Sequence, residues 1–453
     1  MARVRVINAP ALFAPWQSQL EVASQILVGF SGGLDSTVLL KLLCEAVAIE
    51  RLCAVHVNHG LSDNAGQWQG HAEAFCSSLG VKLHCETVAV SAGGEGIEAA
   101  AREARYGVFE RLLEKGGLLL LGHHANDQVE TVLYRLLRGS GVKGLSGIPA
   151  TRPIAKGRLM RPLLLWQKSA LKAYAEQHKL SWIEDESNGE NTFDRNYLRN
   201  QVIPEIARRW PDHAQRISHS ARLSQETAEL LVALAKEDLQ RLDPVPERCG
   251  WSLCLAAFAV LPVARQKNIL RQWPGVYELP LPGHKIIDEI MSTLVLARED
   301  ASPKVQCQGM QWARFRNRLY LLRLEAPFSS DNARLTWQLD QPMLLTDGSR
   351  LVAEKSLGQG LCFKPDQSLW VGTRQGGERC QPVGRQHSNS LKKLLQEFNL
   401  EPWWRDRIPL LYRGESIVAV GDLWICEGHQ TQPDHEGVTI HWQLNSLHNL
   451  HRS

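Results

Sequence analysis

Residues 25–36 read QILVGFSGGLDS: an apolar run, a glycine turn carrying two serines, and the opening of a helix. Successive backbone amides at such a turn can face one anion while the helix dipole favours negative charge, so the stretch is a candidate phosphate site after a first strand. It lacks the lysine with which an ATPase-type P-loop reaches the outer phosphates. Asp35 stands near the place of that cation. Charge on the outer phosphates must then be met by Mg²⁺, which Asp35 is placed to help hold through oxygen coordination. A site that grips the pyrophosphate end and leaves the α-phosphate open suits adenylation, with pyrophosphate leaving, better than transfer of the outer phosphate. The plain alternative is a serine-capped helix after a glycine turn.

Outward from this stretch, strand-like and helix-like segments alternate. QILVGF, LCAVHVN, VKLHCETVAV and GLLLLGHH read as buried strands, and Ser36–Ala48, Ala65–Leu79, Glu98–Glu114 and Asp127–Leu137 read as helices between or after them. This order predicts an α/β fold with a doubly wound parallel sheet of about five strands, covered on both faces. Ligands bind such sheets at the carboxyl ends of the strands, where SGGLDS, HVNHG and GHHANDQ all fall. Further on, 193–211 and the amphipathic stretch from Asp212 to Leu242 read as helical. DPVPERCG reads as a boundary, ARQKNILRQW as a helix and MQWARFRNRLYLLRL as one strand, with a soft break at APFSSDN. From Leu335 on, short strands surround one helix, Asn389–Phe398, as in a small α+β unit.

A chain of 453 residues exceeds the size at which single cores stop growing, so several domains are expected. The net charge of +3 permits an anionic partner without demanding one. Ten cysteines without a C-x-x-C pair read as buried thiols in a reducing compartment. No run has the apolar length of a membrane span, and the amino terminus lacks a secretory pattern, so a cytoplasmic location is expected.

SGGLDS resembles the SGGxDS signature of the ATP pyrophosphatases, which activate a carbonyl or carboxyl by AMP transfer and let a nucleophile displace AMP. Further stretches narrow the likeness: HVNHGLS (56–62), EAAAREARY (98–106), GHHANDQVET (122–131), RGSGVKGLSGI (138–148), RPLL (161–164) and EDESNGENTFDRNYLRNQVIPEI (184–206). In that order they resemble the tRNA(Ile)-lysidine synthases, as does the region 376–424. Ser62 departs from the pattern, which has a basic residue after the turn, and the residues before the first strand match nothing in it.

The resemblance implies ATP and Mg²⁺ as cofactors, and L-lysine and tRNA(Ile) with a CAU anticodon as partners. It implies joining of lysine to the wobble cytidine through an adenylated base, with release of pyrophosphate and AMP and a change of decoding from AUG to AUA. The implied organisation is a catalytic domain over 1–212, a mainly helical middle domain over 213–330 and an α+β domain over 331–453, the latter two binding tRNA. The protein is then a monomer or a homodimer. Rival readings are a tRNA thiolase, which would carry paired cysteines or an iron–sulfur motif, and a nucleotide-binding sensor without turnover.

Residue by residue, ATP falls to Gly29, Ser31, Gly32, Gly33, Leu34, Asp35, Ser36, Asn58, His59, Gly122 and His123, with Asp35 as metal ligand. For His56, a strand-capping role is favoured over a ligand role. Asp127 and Glu130, three apart, share one face of a helix start. The resemblance implies that they hold the lysine ammonium, together with His124; as plain structure, they are ordinary acids of a first helical turn. The group that takes the amine's proton is left open among Asp127, Glu130 and a histidine. The resemblance places Arg105 in the active site, where a guanidinium can fork onto a phosphate or carboxylate, the alternative being a solvated arginine. Catalytic candidates are therefore Asp35, Arg105, Asp127 and Glu130.

For RNA, Arg195, Asn196 and Arg199 either grip the backbone or pair with the acidic EDESN turn. Arg379, Lys392, Lys393, Arg405 and Arg407 form a basic run around Trp403 and Trp404, either an RNA surface or a solvated face beside core tryptophans. RFRNR puts Arg314, Arg316 and Arg318 on one side of a strand as a second stripe of the same ambiguous kind.

Overall fold

The computed structural model describes residues 6–60, 62, 64–90, 97–184, 194–298, 301–323, 334–362 and 368–444. Leu61, residues 185–188 of the acidic turn and the expected break at 326–332 lie outside the described residues. The chain forms two compact units, Met1–Leu230 and Leu231–Ser453.

In the first unit, helices α1 (Ala9–Phe13) and α2 (Gln17–Val22) precede strand β1 (Ile26–Gly29). There follow α3 (Leu34–Ala46), β2 (Leu52–Asn58), α4 (Ala65–Leu79), β3 (Lys82–Thr87), α5 (Ile97–Leu112), β4 (Leu118–Leu120), α6 (Ala125–Leu137) and α7 (Val142–Leu145). A hairpin of β5 (Thr151–Ile154) and β6 (Gly157–Met160) and then α8 (Lys168–Gln177) complete the sheet region, and 194–209 is helical with a wide turn at Leu198–Val202. The sheet order is β3-β2-β1-β4-β6-β5, parallel throughout except for β5 against β6. The parallel expectation holds, and the antiparallel hairpin arm is an addition to it.

Why these strands are continuous apolar runs follows from the two faces they bury. Ile26 and Val28 of β1, Leu52 and Ala54 of β2, and Leu118 and Leu120 of β4 enter one core with Leu39, Leu42 and Leu171. The intervening Leu27, Val55 and Leu119 enter a second core with Val108 and Phe109 of α5. The residues before β1 belong to the first core: Asn8 caps α1 by accepting the Ala11 amide at 2.9 Å, and Leu12, Phe13 and Leu20 are buried. Strand order reverses at β1, between β2 and β4, so the loops leaving Gly29 and Leu120 open on one crevice.

The helix His213–Leu242 holds the boundary between the two units. DPVPERCG, expected as a boundary, is a hairpin inside the second unit, because Val245–Glu247 pairs antiparallel with Gly250–Cys254. These strands join a five-stranded antiparallel sheet packed with helices Val263–Val276 and His284–Ile290, around Trp273 and Trp312 in edge contact at 5.5 Å.

MQWARFRNRLYLLRL is a hairpin, Met310–Phe315 against Arg318–Arg323, and this corrects the expected arginine stripe. Arg316 sits in the turn with φ +52°. Arg314 is buried and donates to the carbonyls of Leu294, Val295 and Ala297, and Arg318 donates to the Ser252 hydroxyl. Beyond it lie a five-stranded and a three-stranded antiparallel sheet and the helix Leu391–Glu397, sharing a core of Leu391, Leu394, Trp404 and Trp442. Among the described residues no helix is long and apolar enough to cross a membrane.

Candidate active site

Two glycines let the crevice close around α3. A Cβ on Gly29 would stand 2.5 Å from Leu121 Cδ2, and one on Gly122 would stand 3.0 Å from the Asp35 carbonyl carbon and 3.1 Å from the Ser36 nitrogen. The loop after β4 therefore lies directly on the first turn of α3. Gly32 has φ +81°, and its carbonyl accepts the Ile183 amide at 2.9 Å, so the chain after α8 returns to the glycine turn.

The serines tie the turn to itself. The Ser36 hydroxyl donates to the Gly33 carbonyl at 3.0 Å and receives the Ser31 amide at 3.2 Å, and the Gly33 amide donates to the Ser31 hydroxyl at 3.3 Å. Gly33, the N-cap of α3, offers no side-chain acceptor to the first-turn amides. Those amides and the helix dipole suit an anion. Leu34 is 8 % exposed and joins the core, so only its backbone can serve a ligand.

Asp35 meets the β4–α6 loop through His124, Oδ2 lying 3.5 Å from Nε2. Asp35 Oδ1 is buried without a hydrogen-bond partner. An orphaned carboxylate oxygen beside a phosphate-type turn fits a hard divalent cation, so the residues present fit Mg²⁺. His124 is the N-cap of α6: Nδ1 accepts the amides of Asn126 at 3.2 Å and Asp127 at 3.4 Å, while Asp127 Oδ2 accepts the His124 amide at 2.8 Å. Burial pulls the His124 pKa down, but the hydrogen bond to Asp35 and the charges of Asp127 and Asp35 outweigh it and leave it raised. The capping amides oppose a second proton on Nδ1, so the neutral ring with Nε2–H toward Asp35 satisfies every partner. Burial raises the Asp127 pKa, against the opposing pull of His124.

Glu130 is 6 % exposed and held from two sides by Arg199, whose Nε and Nη2 donate to its two oxygens at 2.6 and 2.7 Å. The structure thus joins two residues that the sequence reading had assigned to lysine and to RNA. His123 Nδ1 accepts Nε of Arg161 at 3.3 Å. Burial, then the charges of Arg161, Arg102 and Arg105, pull the His123 pKa down to about 3, so the ring is neutral. Burial and then the Arg105 charge also lower the His59 pKa. His59 Nδ1 is buried without a partner. Asn58 Oδ1 accepts the Gly60 amide at 2.9 Å and shapes the turn after β2, and buried His56 bonds the Phe30 carbonyl through Nδ1 at 3.0 Å. The strand-capping expectation for His56 matches this contact.

Asp35, His124 and Asp127 thus meet where the loops after β1 and β4 come together, with His123 in the same loop and Glu130 one turn further on α6. Arg195 stacks over Tyr134 at 5.6 Å, and Asn196 follows it on the same helical run. The basic run lies in the second unit: Arg379 donates to the Ser388 carbonyl, Arg405 to the Leu400 carbonyl, Lys393 pairs with Glu397 and Arg407 with Asp347, while Lys392 is exposed. Trp404 is buried and takes the core alternative, while half-buried Trp403 packs edge-on against Tyr320 at 4.9 Å, at the margin of the core.

Sequence reasoning gave no role to Arg161, Ile183 or His71, whose Nε2 is buried without a partner and whose ring lies 3.5 Å from where a Gly32 Cβ would be. Arg161 falls inside the RPLL stretch, and that was its only signal.

The sequence matches the PP-loop domain family over residues 7–206, the TilS substrate binding domain over 253–320 and the TilS substrate C-terminal domain over 369–442. It is 40% identical to the tRNA(Ile)-lysidine synthase of Coxiella burnetii over 93% of both chains. The chain belongs to the tRNA(Ile)-lysidine synthase family. The Serratia proteamaculans tRNA(Ile)-lysidine synthase is 39% identical, covering 96% of this chain and all of that one, and the Alkalilimnicola ehrlichii tRNA(Ile)-lysidine synthase is 38% identical over 94% and 95%. As a tRNA(Ile)-lysidine synthase the protein is an ATP-using enzyme of tRNA modification, and the crevice at Asp35 lies within its PP-loop domain.

Proposed function

We propose that this enzyme joins L-lysine to the wobble cytidine of the tRNA(Ile) whose anticodon is CAU, in two steps at the Asp35 crevice. In the first, the cytidine O2 attacks the α-phosphate of ATP, the bond to the β-phosphate breaks and pyrophosphate leaves. The first-turn amides of α3 absorb charge on the phosphates, and Asp35 would hold a Mg²⁺ ion that would supply Lewis acidity there. In the second, the lysine ε-amine forms a bond to C2 of the activated ring, the C2–O bond breaks and AMP leaves. The product is lysidine, which pairs with A, so that decoding changes from AUG to AUA.

The residues favour Asp127 as the group that receives the amine's proton. His123 is neutral with Nδ1 taken by Arg161, and His124 has Nδ1 taken by backbone amides and Nε2–H on Asp35. Burial keeps the Asp127 carboxyl above its ordinary pKa and makes it the stronger base. Glu130, neutralised by Arg199, fixes the helical run after 194 against α6. Arg105, whose charge reaches His59 and His123, suits a phosphate oxygen.

One observation carries this reading: the buried, unpartnered oxygen of Asp35 at the start of an uncapped helix. ATP, radiolabelled lysine and bulk tRNA incubated with the enzyme should put label on the RNA with equal amounts of AMP and pyrophosphate. Asp35→Ala should abolish labelling. Unlabelled RNA, or ADP and orthophosphate as products, removes the reading.

A further inference from the structure

Three arginines from three elements converge on Tyr106. Arg102, one turn earlier on α5, lies 5.0 Å from the ring centre, and its Nη2 donates to the phenol oxygen at 3.3 Å. Arg152 of β5 lies 5.2 Å from the same ring. Arg161, just past β6, donates to the phenol oxygen through Nη2 at 3.5 Å and to His123 through Nε. Arg161 is 3 % exposed.

Gathering guanidiniums in a half-buried place costs Coulomb energy unless opposite charge is supplied. Among the described residues, no carboxylate forms an ion pair with Arg102, Arg152 or Arg161. The phenol registers the imbalance: burial acts to raise the Tyr106 pKa, yet Arg102, Arg161 and Arg152 together bring it below its ordinary value. The guanidinium of Arg161 is likewise held below its ordinary pKa, by burial first, with Arg152 and Arg102 adding to the depression.

The cluster continues as a strip. Tyr134 of α6 lies under Arg138 at 5.3 Å and Arg195 at 5.6 Å. Arg135 of α6 donates to the carbonyls of Gly144 and Gly147, and its pKa is lowered by burial first and then by the charges of Arg195 and Arg102, one from each group. One end of the strip is adjacent to the reaction crevice through Arg161, His123 and His124. Arg102, Arg138 and Arg195 are exposed and Arg152 half-buried, and several planar cations on a surface match a polymer of phosphates better than a single nucleotide.

We propose that Arg102 and Arg152, gathered on Tyr106 over the buried Arg161, hold a phosphodiester of the RNA substrate beside the adenylation crevice, that Arg161, whose Nη1 donates to the Pro149 carbonyl, positions Tyr106 without touching RNA, and that Arg195 and Arg138 on Tyr134 carry the next part of the backbone. This rests on the reading that the substrate is RNA. It names which surface of the first unit the nucleic acid crosses.

The test is equilibrium binding of bulk tRNA to the full chain across 50–200 mM salt, without ATP or lysine, for wild type and Arg102→Ala/Arg152→Ala. Each phosphate contact contributes roughly 0.7 to 0.9 to the slope of log affinity against log salt. The double variant should bind about tenfold more weakly, with a slope shallower by about one to two. Its affinity for ATP, read with a fluorescent nucleotide, should stay unchanged. The Arg→Lys double variant should recover the slope but only part of the affinity, because lysine keeps the charge and loses the fork. If circular dichroism shows the double variant misfolded, Arg102→Ala alone, at an exposed position, replaces it and should lose about one contact. An unchanged slope overturns the proposal, and weakened ATP binding with intact RNA binding overturns it by giving the arginines to the nucleotide. Because no turnover is read, this outcome is separate from the lysine-labelling result.

Discussion

His124 Nε2 stands 3.5 Å from Asp35 Oδ2 while the opposite nitrogen of the ring accepts the Asn126 and Asp127 amides. One side chain thus starts α6 and orients the carboxylate at the start of α3. The two jobs separate by substitution. His124→Ala loses the cap, at about 1 kcal/mol, together with the contact to Asp35. His124→Asn keeps an N-cap oxygen but does not span to Asp35, so denaturant melts should show stability recovered, with adenylation still at least tenfold slow. Recovery of both would detach His124 from Asp35.

Gly122→Ala introduces a methyl 3.0–3.2 Å from the Asp35 and Ser36 backbone. Backbone cannot yield as a side chain can, so the β4–α6 loop must lift. A cost of about 1–3 kcal/mol is expected, and labelling of tRNA should fall further than that loss of stability explains. Crystals of the variant with wild-type loop positions would contradict this.

The Glu130–Arg199 pair should respond asymmetrically. Arg199→Ala strands a carboxylate that is 7% exposed, whereas Glu130→Gln leaves a guanidinium that is 37% exposed and can turn to water. Urea unfolding should show Arg199→Ala as the more destabilising, by up to roughly 3 kcal/mol, and Glu130→Gln as clearly milder. The reverse order would show that the buried carboxylate does not set the cost of breaking the pair.

His123 makes acid stability predictable. Its folded pKa of about 3 lies below the ordinary 6.5, so its contribution is complete above pH 6.5 and is lost as pH falls toward 3. In that window the unfolded chain binds a proton that the folded chain refuses. Between pH 7.5 and 5.5 the wild type should lose about 1 kcal/mol more stability than His123→Gln. Equal losses in urea titrations would show the ring protonated in place.

Much of the crevice was legible because its signals are local. A strand buried on both faces must be apolar throughout, so Ile26–Gly29 and Leu118–Leu120 announce themselves, and SGGLDS and GHHAND mark the turns that follow. The β5–β6 hairpin was hidden because TRPIAKGRLM carries a proline and charges. An edge strand tolerates Pro153, since the missing amide is on a side without a partner. Arg316 was misplaced because a two-residue turn leaves no glycine to mark it. Arg199 and Glu130 meet across 69 positions, and the Tyr106 cluster draws on α5, β5 and the residue after β6. Such meetings are products of topology, and no spacing rule within one segment encodes them.

The start of α3 is deliberately unfinished: its N-cap is a glycine, and no side chain closes the first turn. An anion bound there would satisfy the amides of that turn, so its binding would be linked to folding. At a nucleotide concentration a hundredfold above its dissociation constant, about 2.7 kcal/mol is added to the folded state. An enzyme built this way is sturdier when fed than when starved, and its survival in the cell should follow the supply of the molecule it consumes.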